Sequence, residues 1–461
     1  MTSDDRRFDR CFSRVRSVFR IGVACSAAAL DVRGQVATSS ATIAIVGASV
    51  VTMERDGALN DATVLVRDGR ILAVGRRSQV QVPSGAQRID GTGKWLMPGL
   101  VDAHVHLDDQ DDSVNRTLVQ TGLAKGVTTV LEMAGSPASL RMREAIRSGR
   151  LDGPVIFSAG LPANTDTMTR AGGIRFVDEH RAAGYDYIKV YNFLSKEGFR
   201  GILFRARQIG MPVVGHVVRS MDLEGTLGSG QHGIVHMEEF LYSYFSYRNS
   251  DTLQIVTQRL DTTAIPYLAT ITKHAGIWVT PTLVMFESIL DQAENVDRRL
   301  ARPENRYIPE AIYRARWAVD TNAYIKRFVS PIHIVNLRAA LAYQKRLTTA
   351  FYKAGVPLLV GTDAPTPAAV PGFSVHEELA NFVAAGMTPY DALRAATWNA
   401  ADYLGRPGEF GIVKAGARAD LLLLEANPLQ DVANAAKIAG VMSQGRWLPR
   451  ERLEAMLITQ R

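Results

Sequence analysis

The middle of this 461-residue chain alternates short apolar, β-compatible segments with stretches of helical periodicity. This alternation is typical of parallel sheets whose strands are connected by helices, and residues 195–209 and 219–229 are two of the helical stretches. The strand candidates are residues 99–106, 127–133, 154–159, 186–191, 212–217, 233–237, 277–283 and 357–363. Eight such units predict an α/β chain that folds as a parallel (β/α)₈ TIM-like barrel.

The two ends of the chain differ in pattern from the middle. Residues 42–97 and 401–461 contain short strands that Gly, Asn and Asp interrupt, so we expect both ends to build one small β-sandwich domain. The barrel would then occupy residues 98–400. Within it, residues 284–350 form an unusually long, helical and charged connection, which we interpret as a lid or a surface for homo-oligomer formation.

The N-terminal residues 1–37 are typical of an export signal. Arginines dominate the first part, and residues 21–30 are apolar and small. This apolar run is too short to span a membrane comfortably. We therefore expect a periplasmic or secreted protein whose mature form has no membrane contact; a disordered start is the alternative.

Composition narrows the chemistry. The net charge is +7, and the first 33 residues hold +3 of it. The remainder has no basic run of the kind that nucleic-acid-binding proteins use. Both cysteines, Cys11 and Cys25, lie in the export segment. A mature chain would have neither disulfides nor thiolate ligands, and metal ligands would have to be His, Asp, Glu or Lys.

The sequence His104-Val105-His106 lies at the end of the first barrel-strand candidate. Side chains alternate between the two faces of a strand, so both imidazoles point the same way. Two adjacent imidazoles suit a borderline-soft divalent metal such as zinc. Two hydrogen-bonded histidines in a polar strand end are the alternative.

The barrel prediction places chemistry at the carboxyl ends of the strands. Polar residues interrupt the apolar strand candidates at or near these ends, and we expect them to converge at one mouth of the barrel. The six residues are His104, His106, Lys189, His216, His236 and Asp363.

Lys189 has an unusual apolar setting between Ile188 and Val190. A charged lysine repels a metal, but burial lowers the pKa of the amine and favours its neutral form. A neutral amine can add carbon dioxide to form a carbamate, whose two oxygens can bridge two metals. The alternative is an ion pair with Asp186 or another carboxylate.

Several motifs together resemble the amidohydrolase superfamily, and within it the carboxylated-lysine binuclear enzymes of the prolidase and ochratoxinase type. They span roughly residues 42–450 and are PGLVDAHVH, GYDYIKVYN, VVGHV, GIVHM, GTDAP and GARADLLLLEANPL. The resemblance implies two divalent metals, usually zinc. One would be bound by His104, His106 and Asp363, the other by His216 and His236, with carboxylated Lys189 as the bridge. Val235 departs from the glutamate that relatives often carry before the second histidine.

The resemblance also implies a function: hydrolysis of an amide or peptide-like C–N bond by a metal-bridging hydroxide, with Asp363 as general base and then general acid. A dipeptide or an N-acyl amino acid is the expected small-molecule substrate. Tyr191 and Arg219 are candidates for contacting a substrate carboxylate, with ordinary loop packing as the alternative.

The other function classes are a lactone, ester or phosphotriester hydrolase, a mononuclear deaminase-like enzyme and a non-catalytic scaffold. We expect no site role for Glu132, His180, His232, His274, His333 or His376.

Overall fold

A computed structural model describes residues 41–457 of the protein except Asn249 and Val329. The export segment predicted at residues 1–37 lies outside the described residues. Among the helices of the described part, none has both the length and the apolar character that crossing a membrane requires.

Both ends of the chain contribute to one eight-stranded mixed sheet, in the order β15-β14-β13-β5-β1-β2-β3 with β4 paired to β1. These described pairings form one sheet, so the second layer of the expected sandwich stays a prediction. The strands are β1 Ile43–Val50, β2 Leu59–Arg67, β3 Arg70–Arg76, β4 Gln87–Asp90, β5 Trp95–Pro98, β13 Leu421–Leu424, β14 Ile438–Ser443 and β15 Arg446–Pro449.

The middle of the chain forms a TIM-barrel-like α/β fold. Its strands lie in two parallel arcs, β6-β7-β8 and β12-β11-β10-β9, and isolated parallel bridges from Ala159 to Tyr187 and from Ala163 to Val190 link the end of β8 to β9. The strands are β6 Leu100–Val105, β7 Val127–Glu132, β8 Val155–Ser158, β9 Ile188–Val190, β10 Val213–Gly215, β11 Gly233–Val235 and β12 Trp278–Thr280.

The eighth strand, expected at residues 357–363, is not a regular strand. The segment runs between β12 and β6 and makes only isolated parallel bridges, from Leu358 to Val279 and from Ala364 to Val105. Its hydrogen bonds are divided: the amide of Leu359 donates to β12, whereas that of Val360 donates to Ala395. Because its backbone amides bond to two different neighbours, the segment forms no continuous β-ladder, but it still occupies the place of the eighth barrel strand.

Helices surround the strands and fill the connections. The helix expected at 195–209 is observed at Lys196–Ile209. The one expected at 219–229 is shorter and consists of a 3₁₀ turn at Arg219–Met221 followed by a helix at Asp222–Leu227. The helices are α1 Asp112–Ala124, α2 Pro137–Arg147, α3 Arg170–Ala183, α4 Lys196–Ile209, α5 Asp222–Leu227, α6 Glu238–Tyr244, α7 Leu253–Thr257, α8 Ile265–Ala275, α9 Leu283–Leu300, α10 Glu310–Ile312, α11 Ala323–Arg327, α12 Pro331–Ala354, α13 Phe373–Ala384, α14 Pro389–Ala395, α15 Trp398–Tyr403 and α16 Arg450–Met456.

The interior of the strand ring is filled by buried apolar side chains, so it is a packed core rather than a pore. Residues from successive strands contribute, and the fully buried ring of Tyr403 from α15 packs among them. These interior side chains are Val101, Leu131, Tyr187, Val214, Val235 and Leu359. The cavity that the candidate site lines therefore lies beyond this packed interior.

Candidate metal centre

Hydrogen bonds between the first strand and the eighth segment bring three of the predicted residues together. The amide of Asp363 donates to the carbonyl of His104 at 2.8 Å, and that of His106 donates to Ala364 at 2.8 Å. As a result, one carboxylate oxygen of Asp363 lies 3.1 Å from Nε2 of His104 and 2.9 Å from Nε2 of His106. The two Nε2 atoms are 3.3 Å apart.

The other two histidines follow strands β10 and β11 directly. The amide of His216 donates to Val190 in β9, and that of His236 donates to Thr280 in β12. The ring centroid of His236 lies 4.7 Å from that of His104 and 4.9 Å from that of His216. The four imidazoles therefore form one continuous group at the carboxyl ends of the strands.

Backbone conformation helps to aim two of these side chains. His236 has φ 68° and Asp363 has φ 61°, values in the left-handed region that non-glycine residues seldom adopt. Holding such a conformation costs free energy, and it persists only where the surrounding structure enforces it. Both residues leave their strands at this point, so their side chains turn into the mouth of the barrel.

The donor set suits metal binding. His104, His236 and Asp363 are buried, and each offers a ligand atom within 4.8 Å of the others. Three further buried nitrogens have no hydrogen-bond partner among the residues that the structure describes: Nδ1 of His104, Nζ of Lys189 and Nε2 of His216. Leaving such atoms unpaired is costly in a folded protein, so they indicate a missing cationic or polar group. How the six residues divide between two metals stays a prediction.

Lys189 is fully buried in β9. The expected alternative, an ion pair with Asp186, is absent because that carboxylate binds Arg143 at 2.9 Å instead. Burial lowers the pKa of Lys189 to about 7, although the negative charges of Asp363 and Glu239 act in the opposite direction. A substantial neutral fraction of the amine near neutral pH is what carbamate formation requires.

Three residues that the sequence did not single out orient the histidines. The carboxylate of Glu239 accepts from Nδ1 of His216 at 2.9 Å, and the hydroxyl of Thr282 lies 2.8 Å from Nδ1 of His236. Glu132, for which no role was expected, lies 3.7 Å from Nδ1 of His106. Such partners fix which ring nitrogen faces a metal.

Two backbone amides hold the carboxylate of Glu132 in place near His106. It is buried at the end of β7, where its oxygens accept from the amides of Leu107 at 2.5 Å and Ala134 at 2.7 Å. Although burial disfavours a charge on His106, the carboxylates of Asp363 and Glu132 raise the pKa of His106 to about 9. The strand-end position of Glu132, shared with the six predicted residues, was the signal that could have identified it.

Asp102, in the sequence before the two histidines, supports the first strand rather than facing the metal centre. Its carboxylate accepts from the amide of His104 at 3.2 Å and from the amide and hydroxyl of Thr362 at 3.0 and 2.6 Å. Burial raises the pKa of Asp102 to about 7 against the effect of these bonds. Asp102 therefore links the backbone of His104 to that of Thr362, the residue before Asp363.

The centre opens into a cavity of about 510 Å³, large enough for a small-molecule substrate. Both residues predicted to contact substrate line it. The ring of Tyr191 stacks on His216 with a centroid distance of 4.0 Å. The guanidinium of Arg219 lies 5.2 Å from the ring of Phe193 and 5.4 Å from that of Tyr242.

The remaining histidines that we assigned no role lie away from this centre. His232 lies 2.9 Å from the carbonyl of Tyr403, and His376 lies 3.0 Å from that of Lys125. Both ring nitrogens of His180 lie within 3.1 Å of carbonyl oxygens of neighbouring residues. Their contacts are consistent with ordinary packing.

Comparison with known families agrees with this geometry. The amidohydrolase family model matches residues 95–448, which include all six site residues. The chain belongs to the amidohydrolase family. As a member of it, the protein is a hydrolase that acts on carbon–nitrogen bonds, and divalent metals are typical of the family.

Individual amidohydrolases are similar over most of this chain. Imidazolonepropionase of Ralstonia nicotianae is 27% identical over 413 residues, which cover 84% of this chain and 93% of that protein. The crystal structure of a putative prolidase from Bifidobacterium longum has a TM-score of 0.69 and 25% identity, covering 91% and 98% of the two chains. Ochratoxinase of A. niger has a TM-score of 0.64 and 19% identity, with 89% and 96% covered, and shows the shared fold.

The contact between Glu239 and His216 gives a first prediction. Glu239→Gln keeps the size of the side chain but removes the charge that orients the imidazole, so metal affinity should fall by about 10- to 100-fold. Competition with a chelator of known affinity measures the change. Glu197→Gln, on the exposed surface of α4, is the control. Equal metal affinity in the Glu239 variant and the wild type would contradict the orienting role.

Proposed function

We propose that this amidohydrolase is a binuclear, zinc-dependent enzyme that cleaves the amide bond of a dipeptide or an N-acyl amino acid. One observation carries the proposal: four histidines, Asp363 and a buried lysine converge beside a cavity of small-molecule size. A mononuclear deaminase-like site gives no account of Lys189, whose buried Nζ has no hydrogen-bond partner among the described residues.

In this proposal His104, His106 and Asp363 hold one metal, His216 and His236 hold the other, and Lys189 bridges them as a carbamate. Two divalent cations, when bound, would supply Lewis-acid polarisation of the substrate carbonyl and a water acidic enough to ionise near neutral pH. The unpaired nitrogens of Lys189 and His216 and the short distances within the group support the assignment.

The protein's own residues would transfer the proton from the attacking water to the leaving nitrogen. The carboxylate of Asp363 lies within 3.1 Å of two imidazoles at the floor of the cavity, where a water attacking the substrate carbonyl would sit. Asp363 would accept the proton of that water and return it to the leaving nitrogen, acting as general base and then as general acid. Glu239 and Thr282 would keep their histidines in one orientation throughout.

A substrate carboxylate would bind to Arg219, whose guanidinium is positioned between two aromatic rings. Arginine suits this role because its planar donors match the geometry of a carboxylate. Tyr191, stacked on His216, would place its hydroxyl beside the same part of the substrate. These contacts favour substrates that end in a free carboxylate.

Metal dependence tests the proposal. Protein purified without chelator should contain close to two divalent metals per chain, measured by inductively coupled plasma mass spectrometry. It should hydrolyse members of a panel of dipeptides and N-acyl amino acids, lose activity on chelation and regain it with zinc. Lactones, carboxylic esters and phosphotriesters belong in the same panel. Fully active, metal-free protein would refute the metal assignment, and turnover of the last three classes alone would refute the amide specificity.

We propose that residues 42–97 and 401–461 form the accessory domain, that residues 98–400 form the catalytic one, and that the insertion at 284–350 covers the site or mediates homo-oligomer formation. We further propose an exported mature enzyme, which acts on a small molecule without binding nucleic acid or membrane. N-terminal sequencing of the native protein, with a start between about residues 28 and 40, checks the export.

A further inference from the structure

One acidic side chain in the cavity has no part in the chemistry described so far. Glu238 is the first residue of α6 and follows His236 by two positions. It lines the same 510 Å³ cavity as His216, His236 and Asp363, and it is half-buried there.

The other carboxylates around the cavity are engaged, whereas that of Glu238 is not. Glu239 accepts from His216, Asp251 pairs with Arg259 at 2.6 Å, and Asp363 contacts two histidines. Among the described residues, the carboxylate of Glu238 has no hydrogen bond and no ion pair within 4.0 Å, and the charges of Arg327 and Arg219 act on it only from a longer distance. A ligand cation in direct contact would offset the cost of withdrawing this carboxylate from water.

Charged side chains of both signs line the cavity. Arg219 and Arg327 line the cavity together with Glu238. A substrate whose carboxylate contacts an arginine would present its other end to a different part of the wall. Glu238 supplies a carboxylate on that wall, and a cationic group of the substrate would complement it.

We propose that Glu238 binds a cationic nitrogen of the substrate and thereby selects charged substrates over neutral N-acyl amino acids. This inference rests on the proposed amide hydrolysis. Two sources share the chemistry: the terminal ammonium of an unblocked dipeptide and the ammonium of a lysine-like side chain. Glu238 is in this view a specificity-determining residue, and Asp363 keeps the proton transfer.

Matched substrates separate these sources. Alanyl-leucine and N-propionyl-leucine differ only in the terminal ammonium, while N-propionyl-lysine and N-propionyl-norleucine differ only in the side-chain ammonium. For the metal-loaded full chain, kcat/KM is measured with all four substrates in the wild type, Glu238→Gln and Glu224→Gln. Glu224 lies on α5 outside the cavity and provides the matched control.

The readout is the ratio of kcat/KM within each pair. In the wild type one charged substrate should be preferred over its neutral partner, and Glu238→Gln should reduce that preference by about 10- to 100-fold, as expected for a lost charged hydrogen bond. The pair that responds identifies which nitrogen binds. Glu224→Gln should keep the wild-type ratios.

The results that would contradict the specificity role differ from those that would contradict amide hydrolysis. If the wild type hydrolyses the neutral substrates as well as the charged ones, or Glu238→Gln lowers both members of a pair equally, the specificity role is refuted while amide hydrolysis stands. If the wild type hydrolyses none of the four, the proposed function fails together with the inference. Thermal unfolding of Glu238→Gln shows whether a general loss reflects misfolding, and Glu238→Asp should restore part of the preference.

Discussion

Replacing Lys189 with alanine is expected to abolish turnover and to lower metal affinity by more than about 100-fold, beyond the effect of losing an orienting partner. The reason is that two cations would lose the anion that they share, and Asp363 would be the one negatively charged group left among the predicted ligands. The side chain is fully buried and its Nζ has no hydrogen bond or ion pair in the described structure, so no ion pair is lost in the variant. Metal content, kcat/KM and melting temperature measure the three consequences separately.

Chemical rescue sharpens this test. The alanine variant leaves space beside the histidines, and added propionate could place two oxygens where the carbamate would lie and partly restore turnover. Lys189→Met fills the same volume with apolar atoms, so it should be stable, inactive and insensitive to propionate. A Lys189→Ala protein that binds two metals and turns over substrate normally would defeat the bridging role.

The sequence predicted the site because its residues share a simple property. His104, His216 and His236 each stand at the end of an apolar strand, and strand ends meet at one mouth in a parallel barrel. The periodicity of the strands is therefore sufficient to locate these residues. The family model matches residues 95–448, a range that contains these positions, and their roles stay a prediction.

The partners of these residues could not be predicted in the same way. Glu239 lies in α6 and reaches His216 only because that helix folds back across the end of β10. Thr282 precedes α9 and reaches His236 through an irregular connection with φ 49° at Thr282 itself. Such contacts depend on where a helix begins and how it packs, which local sequence patterns leave open.

The eighth barrel segment shows a related limit. Its composition predicts a strand at residues 357–363, yet its amides bond in two directions and only isolated bridges form. The segment packs closely against the first strand at Gly361. A Cβ atom at that position would lie 3.0 Å from Cβ of His104, so a larger residue would not fit without a shift. The segment serves to place Asp363 beside His104, and regular pairing is secondary to that contact.

Asp363→Asn provides the second large expected effect. The amide has nearly the shape of the carboxylate, but it carries no charge and cannot accept a proton at neutral pH. Turnover of an amide substrate should fall by about 10²- to 10⁴-fold, the range that general acid–base groups contribute. The variant should also bind metal more weakly, because His104 and His106 would lose the carboxylate oxygen that lies within 3.1 Å of both.

Measurements at saturating zinc distinguish the two losses. If Asp363 transfers the proton to the leaving nitrogen, the variant loaded with two metals should still be slow on the amide. It should lose less activity on an aryl ester of the same acid, because a phenolate leaves without needing a proton. Asp420→Asn, at a buried aspartate bound to Arg418 away from the cavity, controls for the loss of a buried charge. An Asp363→Asn protein that regains full amide turnover with zinc would show that the carboxylate only binds metal, and the proton would then need another carrier.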